Sequence, residues 1–436
     1  MLKPIVLAGS FFALLLFACS PAATSTTSTI SPIVQPAKPS GAAATETATN
    51  APTATETASP TPENIPDLSG ETIILPALCD QSSLLASSNT ARIQAMEDVS
   101  NAINAQGGIF GAQLDLRVMD SEGKPEEAQR ALARIVRELG EGPLVLICDP
   151  QTEAAISGML NEDEIPALGP ADFAERDGFI FGLDASRQEH LGYFLENLFA
   201  HWSERKPEGA SSEIRLALIS WPEEFAGPLT SEEFLADLED LGIQVVFQAE
   251  LPTDPDANIF DVIYRIRDAN ANVIYSNLRG FGLAGLLNAL NALGLRGRFV
   301  VGTPASGYGT QLFEYLADPA YAERLYLTST WAWWAEENVG IQFLNTLENG
   351  ADAHDWGYIQ MAGAVGLAQH ALEDAILEGR FQALSPEAVA GALEGLEDYP
   401  VMSGLFTVDY SGGSRSLNGL RTWVAGTAPG ELAISE

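Results

Sequence analysis

Between Thr72 and Val301 short apolar segments alternate with amphipathic ones, and the alternation occurs twice. Thr72–Leu78 reads as a strand. Arg92-Ile93, Met96, Val99 and Ile103 then recur at three- and four-residue spacing, which buries one face of a helix, and Gly107-Gly108 ends it. A strand at Leu114–Met119, a helix opened by Pro125 and running to Leu139, a strand at Leu144–Ile147 and a helix from about Gln151 to Leu160 complete the first run. The second run has strands at Ile214–Ile219, Gln244–Ala249, Val273–Ser276 and Phe299–Val301, with helices at Ser231–Leu241, Asn258–Asp268 and Leu283–Leu293. A helix around Gln188–Glu204 separates the two runs. Strands that alternate with helices build parallel sheets covered on both faces. The expected fold is α/β with two similar lobes, each a doubly wound, mostly parallel sheet. In such sheets the side chains beyond the carboxyl ends of the strands are the ones offered to a ligand.

The N-terminus sets a context for that body. Met1-Leu2-Lys3 precedes an apolar run, Ile5–Ala18, that is too short for a spanning helix and reads as a secretory signal. Leu16-Phe17-Ala18-Cys19 resembles the bacterial lipobox, which implies that residues 1–18 are removed and that Cys19 is lipidated. The alternative is an ordinary signal peptide with an incidental cysteine. Residues 19–65 are almost entirely Thr, Ala, Ser and Pro, with Lys38, Glu46, Glu56 and Glu63 as the only charges. Such a stretch buries too little apolar surface to offset its conformational entropy, so a disordered, partly extended tether is expected. Residues 66–436 form the body, which exceeds the size at which one core usually splits in two.

Charge and motif content exclude several functions. The net charge of −37 repels nucleic acid and anionic membrane, so contact with the bilayer is expected through the lipid anchor only. The same charge equally describes a solvated acidic surface. His190, His201, His354 and His370 match no metal spacing, and neither a Gly-x-Ser-x-Gly elbow nor a cysteine–histidine pattern occurs, so no enzyme is expected. Gly280-Phe281-Gly282-Leu283-Ala284-Gly285 fits a dinucleotide fingerprint, but its glycines start several residues after the strand and no acid follows near 300–305. A flexible cleft loop is the expectation there, and no cofactor.

Ile103-Asn104-Ala105-Gln106-Gly107-Gly108-Ile109-Phe110-Gly111, followed by Leu114–Asp120 and Glu126–Leu139, resembles the first third of a type I periplasmic binding protein. The subgroup is the branched-chain amino acid (Leu/Ile/Val) binding proteins of ABC importers. Ala271–Phe299, with Ala292-Leu293-Gly294-Leu295, is similar to a later segment of that family. So is Tyr399-Pro400-Val401-Met402-Ser403-Gly404 with Phe406-Thr407-Val408-Asp409. The resemblance implies two lobes joined by three crossings and closing on a solute. One lobe would hold about 68–184 plus 330–407, the other about 185–329 plus 408–436, with a C-terminal strand at Leu420–Val424.

The resemblance also implies site residues. Thr152 falls where a hydroxyl meets the ligand's carboxylate at a helix N-terminus; plain helix capping is the equal alternative. Ala171, Asp172 and Phe173 match the next contact loop, Phe225 takes the place of a cleft tyrosine, and Arg279 that of another. No carboxylate stands at Thr303-Pro304-Ala305-Ser306, where an acidic partner for an ammonium is implied, so a free α-amino acid fits poorly. Arg279 in the cleft favours an anionic or strongly accepting group; a surface arginine paired with an acid is the alternative. Asp80, Gln81 and Ser82 follow the first strand and should face the cleft, with Asp80 or Asp149 a replacement for the missing acid.

Two further clusters have double readings. Trp331, Trp333 and Trp334 could wall a ligand or pack the core or hinge. Cys79 and Cys148 each end a strand, and first and third strands of a doubly wound sheet are neighbours about 4.8 Å apart. That is within disulfide reach in an oxidising compartment; two buried thiols are the alternative. The resemblance implies a substrate-binding lipoprotein of an ABC importer that hands a small polar solute to permease subunits. A ligand sensor signalling to a membrane partner is the alternative.

Overall fold

The computed structural model describes residues 65–436 except 140–143, 171–177, 223–228, 380, 382, 383, 428, 429 and 436. Cys19 and all of the tether but its last residue lie outside the described residues. In the first sheet β1 (Thr72–Cys79), β2 (Gln113–Asp120), β3 (Val145–Ile147), β4 (Ala167–Gly169) and β5 (Ile180–Gly182) run parallel in the order β2-β1-β3-β4-β5. In the second, β6 (Arg215–Ser220), β7 (Gln244–Glu250), β8 (Val273–Ser276), β9 (Val300–Pro304) and β10 (Leu325–Ser329) run parallel in the order β7-β6-β8-β9-β10. The same winding therefore occurs twice. A short hairpin, β11 (Tyr399–Val401) and β12 (Phe406–Val408), follows; β13 (Arg421–Ala425) and β14 (Leu432–Ile434) then extend the second sheet antiparallel beyond β10.

Period-two alternation explains the layers. In β1, Leu75, Ala77 and Cys79 face the helix Thr90–Ala105, whereas Leu78 joins Leu132, Ile135, Ile156 and Leu160 from the helices Pro125–Leu139 and Pro150–Glu162 on the other face. In β6, Leu216 and Leu218 pack with Leu191, Phe194 and Leu198 of Arg187–Ala200, and Ala217 and Ile219 turn to the opposite face. The helix Trp356–Gly379 returns to the first lobe, where Gln360 meets Arg92 and the Tyr358 hydroxyl donates to Asp98 Oδ2 at 2.6 Å. Among the described residues no helix is long and apolar enough to cross a membrane.

The expected alternation is borne out, with ends shifted by a few residues at most. The exceptions are instructive. β4 and β5 have three residues each, too few for periodicity to register. The expected loop at Gly280–Gly285 is instead the opening of the helix Gly280–Ala292. Its glycines serve close packing: a Cβ at Gly280 would run into the Gln311 side chain, and one at Gly282 into the Trp221 ring.

Candidate functional site

The carboxyl ends of β1 and β3 are adjacent, and Cys79 and Cys148 are disulfide-bonded there with Cα atoms 4.9 Å apart. Each cysteine is followed by a buried aspartate. Asp149 is the N-cap of Pro150–Glu162: Oδ1 accepts from Thr152 N at 2.8 Å, and Oδ2 accepts from Thr152 Oγ1, Asp80 N and Asn89 Nδ2 at 3.1, 3.2 and 3.2 Å. The Ser121 and Thr152 hydroxyls are 2.9 Å apart. The positive end of this helix thus already holds the protein's own carboxylate, and Thr152 serves it. Asp80 folds the next loop, accepting from the backbone of Ser82 and Ser83 and from the Ser83 hydroxyl. Gln81 is exposed and donates its N–H to Asp120 Oδ1, which together with other donors holds the Asp120 carboxyl below its usual range despite burial acting the other way.

The two lobes meet across a narrow cavity lined from both sides. The first lobe contributes Ser88, Arg92 and Asp355–Gly357; the second contributes Arg279, Gly280 and the loop Ser306–Leu312 that follows β9. Direct bonds already span it. Gln311 Nε2 donates to Leu84 O at 3.1 Å and to Ser87 Oγ at 2.9 Å, and Thr310 donates both N–H and hydroxyl to Asp355 Oδ2 at 2.9 and 3.2 Å. Asp355 Oδ1 accepts from Gly357 N at 2.7 Å. Arg92, 6% exposed, donates Nη1 to Ser88 O at 2.7 Å. Burial pushes its guanidinium pKa down, against the opposing pull of Asp355 and Asp149 and with the push of Arg187. Arg279, also buried, stands 6.0 Å from the Trp221 ring. Among the described residues, the charged groups lining the cavity are therefore two guanidiniums from opposite lobes and one carboxylate.

Behind the cavity the chain passes between the lobes three times: after β5, after β10 and between β12 and β13. Asp184 joins all three. Its Oδ1 meets His190 Nε2 at 3.0 Å and the Thr330 hydroxyl at 3.1 Å, and its carbonyl accepts from Leu417 N at 2.9 Å. His190 Nδ1 is 2.8 Å from Thr328 Oγ1, and Arg187 Nη1 donates to Ser306 Oγ at 2.9 Å, linking this hinge to the cavity wall.

The periplasmic binding protein family model matches residues 72–415. The chain belongs to that family. Solved structures with this fold include a branched-chain amino acid ABC transporter from Thermus thermophilus with bound valine (TM-score 0.70, 18% identity, covering 85% of this chain and 96% of that one). A fatty acid ABC transporter substrate-binding protein from Thermomonospora curvata aligns at TM-score 0.70 and 16% identity over 85% of this chain and 93% of its own. A leucine binding protein from Thermotoga maritima aligns at 0.66 and 14%, over 84% and 98%. No curated protein sequence matches the chain. At these identities the structural likeness shows the fold.

Within this family member the residues singled out from sequence separate into groups. Arg279 lines the interlobe cavity. Thr152, Asp80 and Gln81 have their bonds within the first lobe, and Ser82 sits in the loop that Asp80 folds. Ala171, Asp172, Phe173 and Phe225 lie outside the described residues. Trp331 and Trp333 are fully buried, donating to Leu183 O and Gly430 O and packing on Trp356, so they brace the hinge. Trp334 is half-buried against His354 and Tyr358. Sequence reasoning missed Arg92, Gln311 and Asp355. A charged residue at an otherwise apolar helical position was the available signal for Arg92; Gln311 and Asp355 carry no local one.

Proposed function

We propose that this chain is the extracytoplasmic substrate-binding lipoprotein of an ABC importer, held to the outer face of the cytoplasmic membrane by lipidated Cys19. The tether of about residues 19–65 lets the body, divided near residues 184, 330 and 408, swing toward permease subunits. The body captures a small polar solute by lobe closure and does no chemistry on it. The observation that carries this reading is the cavity that takes Arg92 from one lobe and Arg279 from the other. A ligand bridging two lobes binds the closed state better than the open one, and that difference drives closure.

The lining favours a solute with a carboxylate or another strongly accepting group, because guanidinium forks bind planar anions in two-point fashion. Valine, bound in one relative, and the fatty acids named for another both carry a carboxylate. With Asp355, the only lining carboxylate among the described residues, bonded to Thr310 and Gly357, an ammonium has less to meet there than an anion. A thermal-shift screen of amino acids, amides, short-chain acids and nucleosides tests the reading. Stabilisation by carboxylates supports it; no stabilisation by any solute class overturns it.

A further inference from the structure

We propose that Asp355 is a built-in competitor for the acidic group of the solute: it closes the lobes on the protein's own carboxylate, and an acidic solute binds by displacing it. This rests on the reading that an anionic solute binds between the lobes, and adds how that site is regulated.

The interlobe cavity has a volume of about 20 Å³, room for a single water. A solute therefore enters only after bonds between the lobes have broken. Thr310 and Gln311 make such bonds from the second lobe. Gln311 Nε2 reaches the Leu84 backbone oxygen and the Ser87 hydroxyl, which are neutral acceptors. Thr310 gives both its N–H and its hydroxyl to one carboxylate oxygen, Asp355 Oδ2. Hydrogen bonds to an ionised acceptor are roughly twice as strong as neutral ones, so Asp355 is the firmer hold.

The packing leaves room for this carboxylate from both sides. A Cβ on Gly309, in the second lobe, would stand 2.7 Å from Asp355 Oδ2, and one on Gly357, in the first, 3.0 Å from Oδ1. The same Cβ position at Gly357 is 3.1 Å from Arg92 Cζ, so the Asp355 carboxylate and the Arg92 guanidinium flank one gap. A buried guanidinium calls for a nearby anion, and Asp355 supplies one from within. The carboxylate of a solute would use the same groups, the Thr310 donors and the Arg92 fork. Two carboxylates cannot share them, because like charges at close range repel. Binding therefore exchanges one carboxylate for another, and the measured affinity is reduced by the fraction of molecules still latched on Asp355.

Solution scattering and calorimetric titration with butyrate and octanoate, on the full chain and on Asp355→Asn and Thr310→Pro, test the proposal. Asparagine keeps an acceptor for Gly357 N but has one oxygen for two sides, and proline removes both Thr310 donors at a first helical position that suits it, so both variants should fold. Without added solute, both should show a larger radius of gyration than the parent. Their affinities should then part: Asp355→Asn should bind at least one acid about tenfold more tightly or better, while Thr310→Pro gains nothing. An unchanged radius in both variants, no gain in Asp355→Asn, or an equal gain in Thr310→Pro would overturn the proposal. If the parent binds either acid while Asp355→Asn binds it no tighter, the competitor falls and the solute class stands. Binding of neither acid by any of the three proteins overturns both.

Discussion

Asp184 Oδ1 and His190 Nε2 lie 3.0 Å apart with both side chains buried, at the point where three crossings of the chain join the lobes. The same oxygen takes the Thr330 hydroxyl, and the Asp184 carbonyl takes the Leu417 N–H. Removing this carboxylate leaves an imidazole and a hydroxyl enclosed without their acceptor. Asp184→Ala should therefore cost about 3 kcal/mol of stability, and Asp184→Asn, which keeps an acceptor oxygen, clearly less. Urea denaturation of the two variants measures the difference; equal losses would show that the carboxylate is not what ties the crossings.

Gly280 has φ 47° and its missing Cβ leaves room for Gln311, which reaches across to Leu84 and Ser87. Gly280→Ala should displace that side chain and weaken closure, costing about 1–3 kcal/mol in strain. Solution scattering should show a larger radius of gyration in the variant. An unchanged radius would mean that Gln311 does not hold the lobes together.

Arg279→Ala should weaken binding of an anionic solute by about tenfold or more, the worth of a charge-assisted hydrogen bond. Titration calorimetry with the best solute from the thermal-shift screen gives the number. Unchanged affinity removes Arg279 from the site.

The Cys79–Cys148 bond closes a loop with a sequence separation of 69 residues. Chain-entropy reasoning gives it about 4 kcal/mol. Reduction, or Cys79→Ser with Cys148→Ser, should lower the unfolding temperature, and peptide mapping without reductant should recover the two cysteines in one linked fragment.

Tyr275, Tyr308, Tyr358 and Tyr410 are buried, and burial raises the pKa of each; that of Tyr308 rises to about 12. Asp98, which accepts the Tyr358 proton, adds to the effect there. Folded pKa values above the unfolded value of about 10 give stability that is fully present below pH about 10. It is lost as the pH rises through the folded values, because the unfolded chain then releases protons that the folded chain keeps. The unfolding temperature should be insensitive to these groups at neutral pH and fall above pH about 10. Tyrosinate absorbance should show these four ionising only with unfolding.

The candidate site was less legible in sequence than the fold. Arg279 could be placed because the family resemblance carries a cleft position onto it, just after the recognisable strand β8. Asp355 and Gln311 could not. They meet Thr310, Leu84 and Ser87 across sequence separations of up to 227 residues, and no local pattern records a contact between such distant stretches of chain.

What the sequence determined by itself was the succession of elements. Apolar spacing of two and of three to four residues decides which segments become strands or helices, and caps such as Asp149-Pro150 and Ser186 with Glu189 decide where helices begin. The tertiary structure decided which polar groups remain for a ligand. Asp80 and Asp149 looked available because they follow strands, and Thr152 because the resemblance put it at a ligand's carboxylate, but packing brought them within hydrogen-bond reach of one another or of neighbouring loop residues. Buried polar groups must be satisfied, and the nearest partners were other parts of the same lobe. The two arginines line one cavity because lobes wound from distant stretches of chain meet there, and that meeting is a property of the packed molecule.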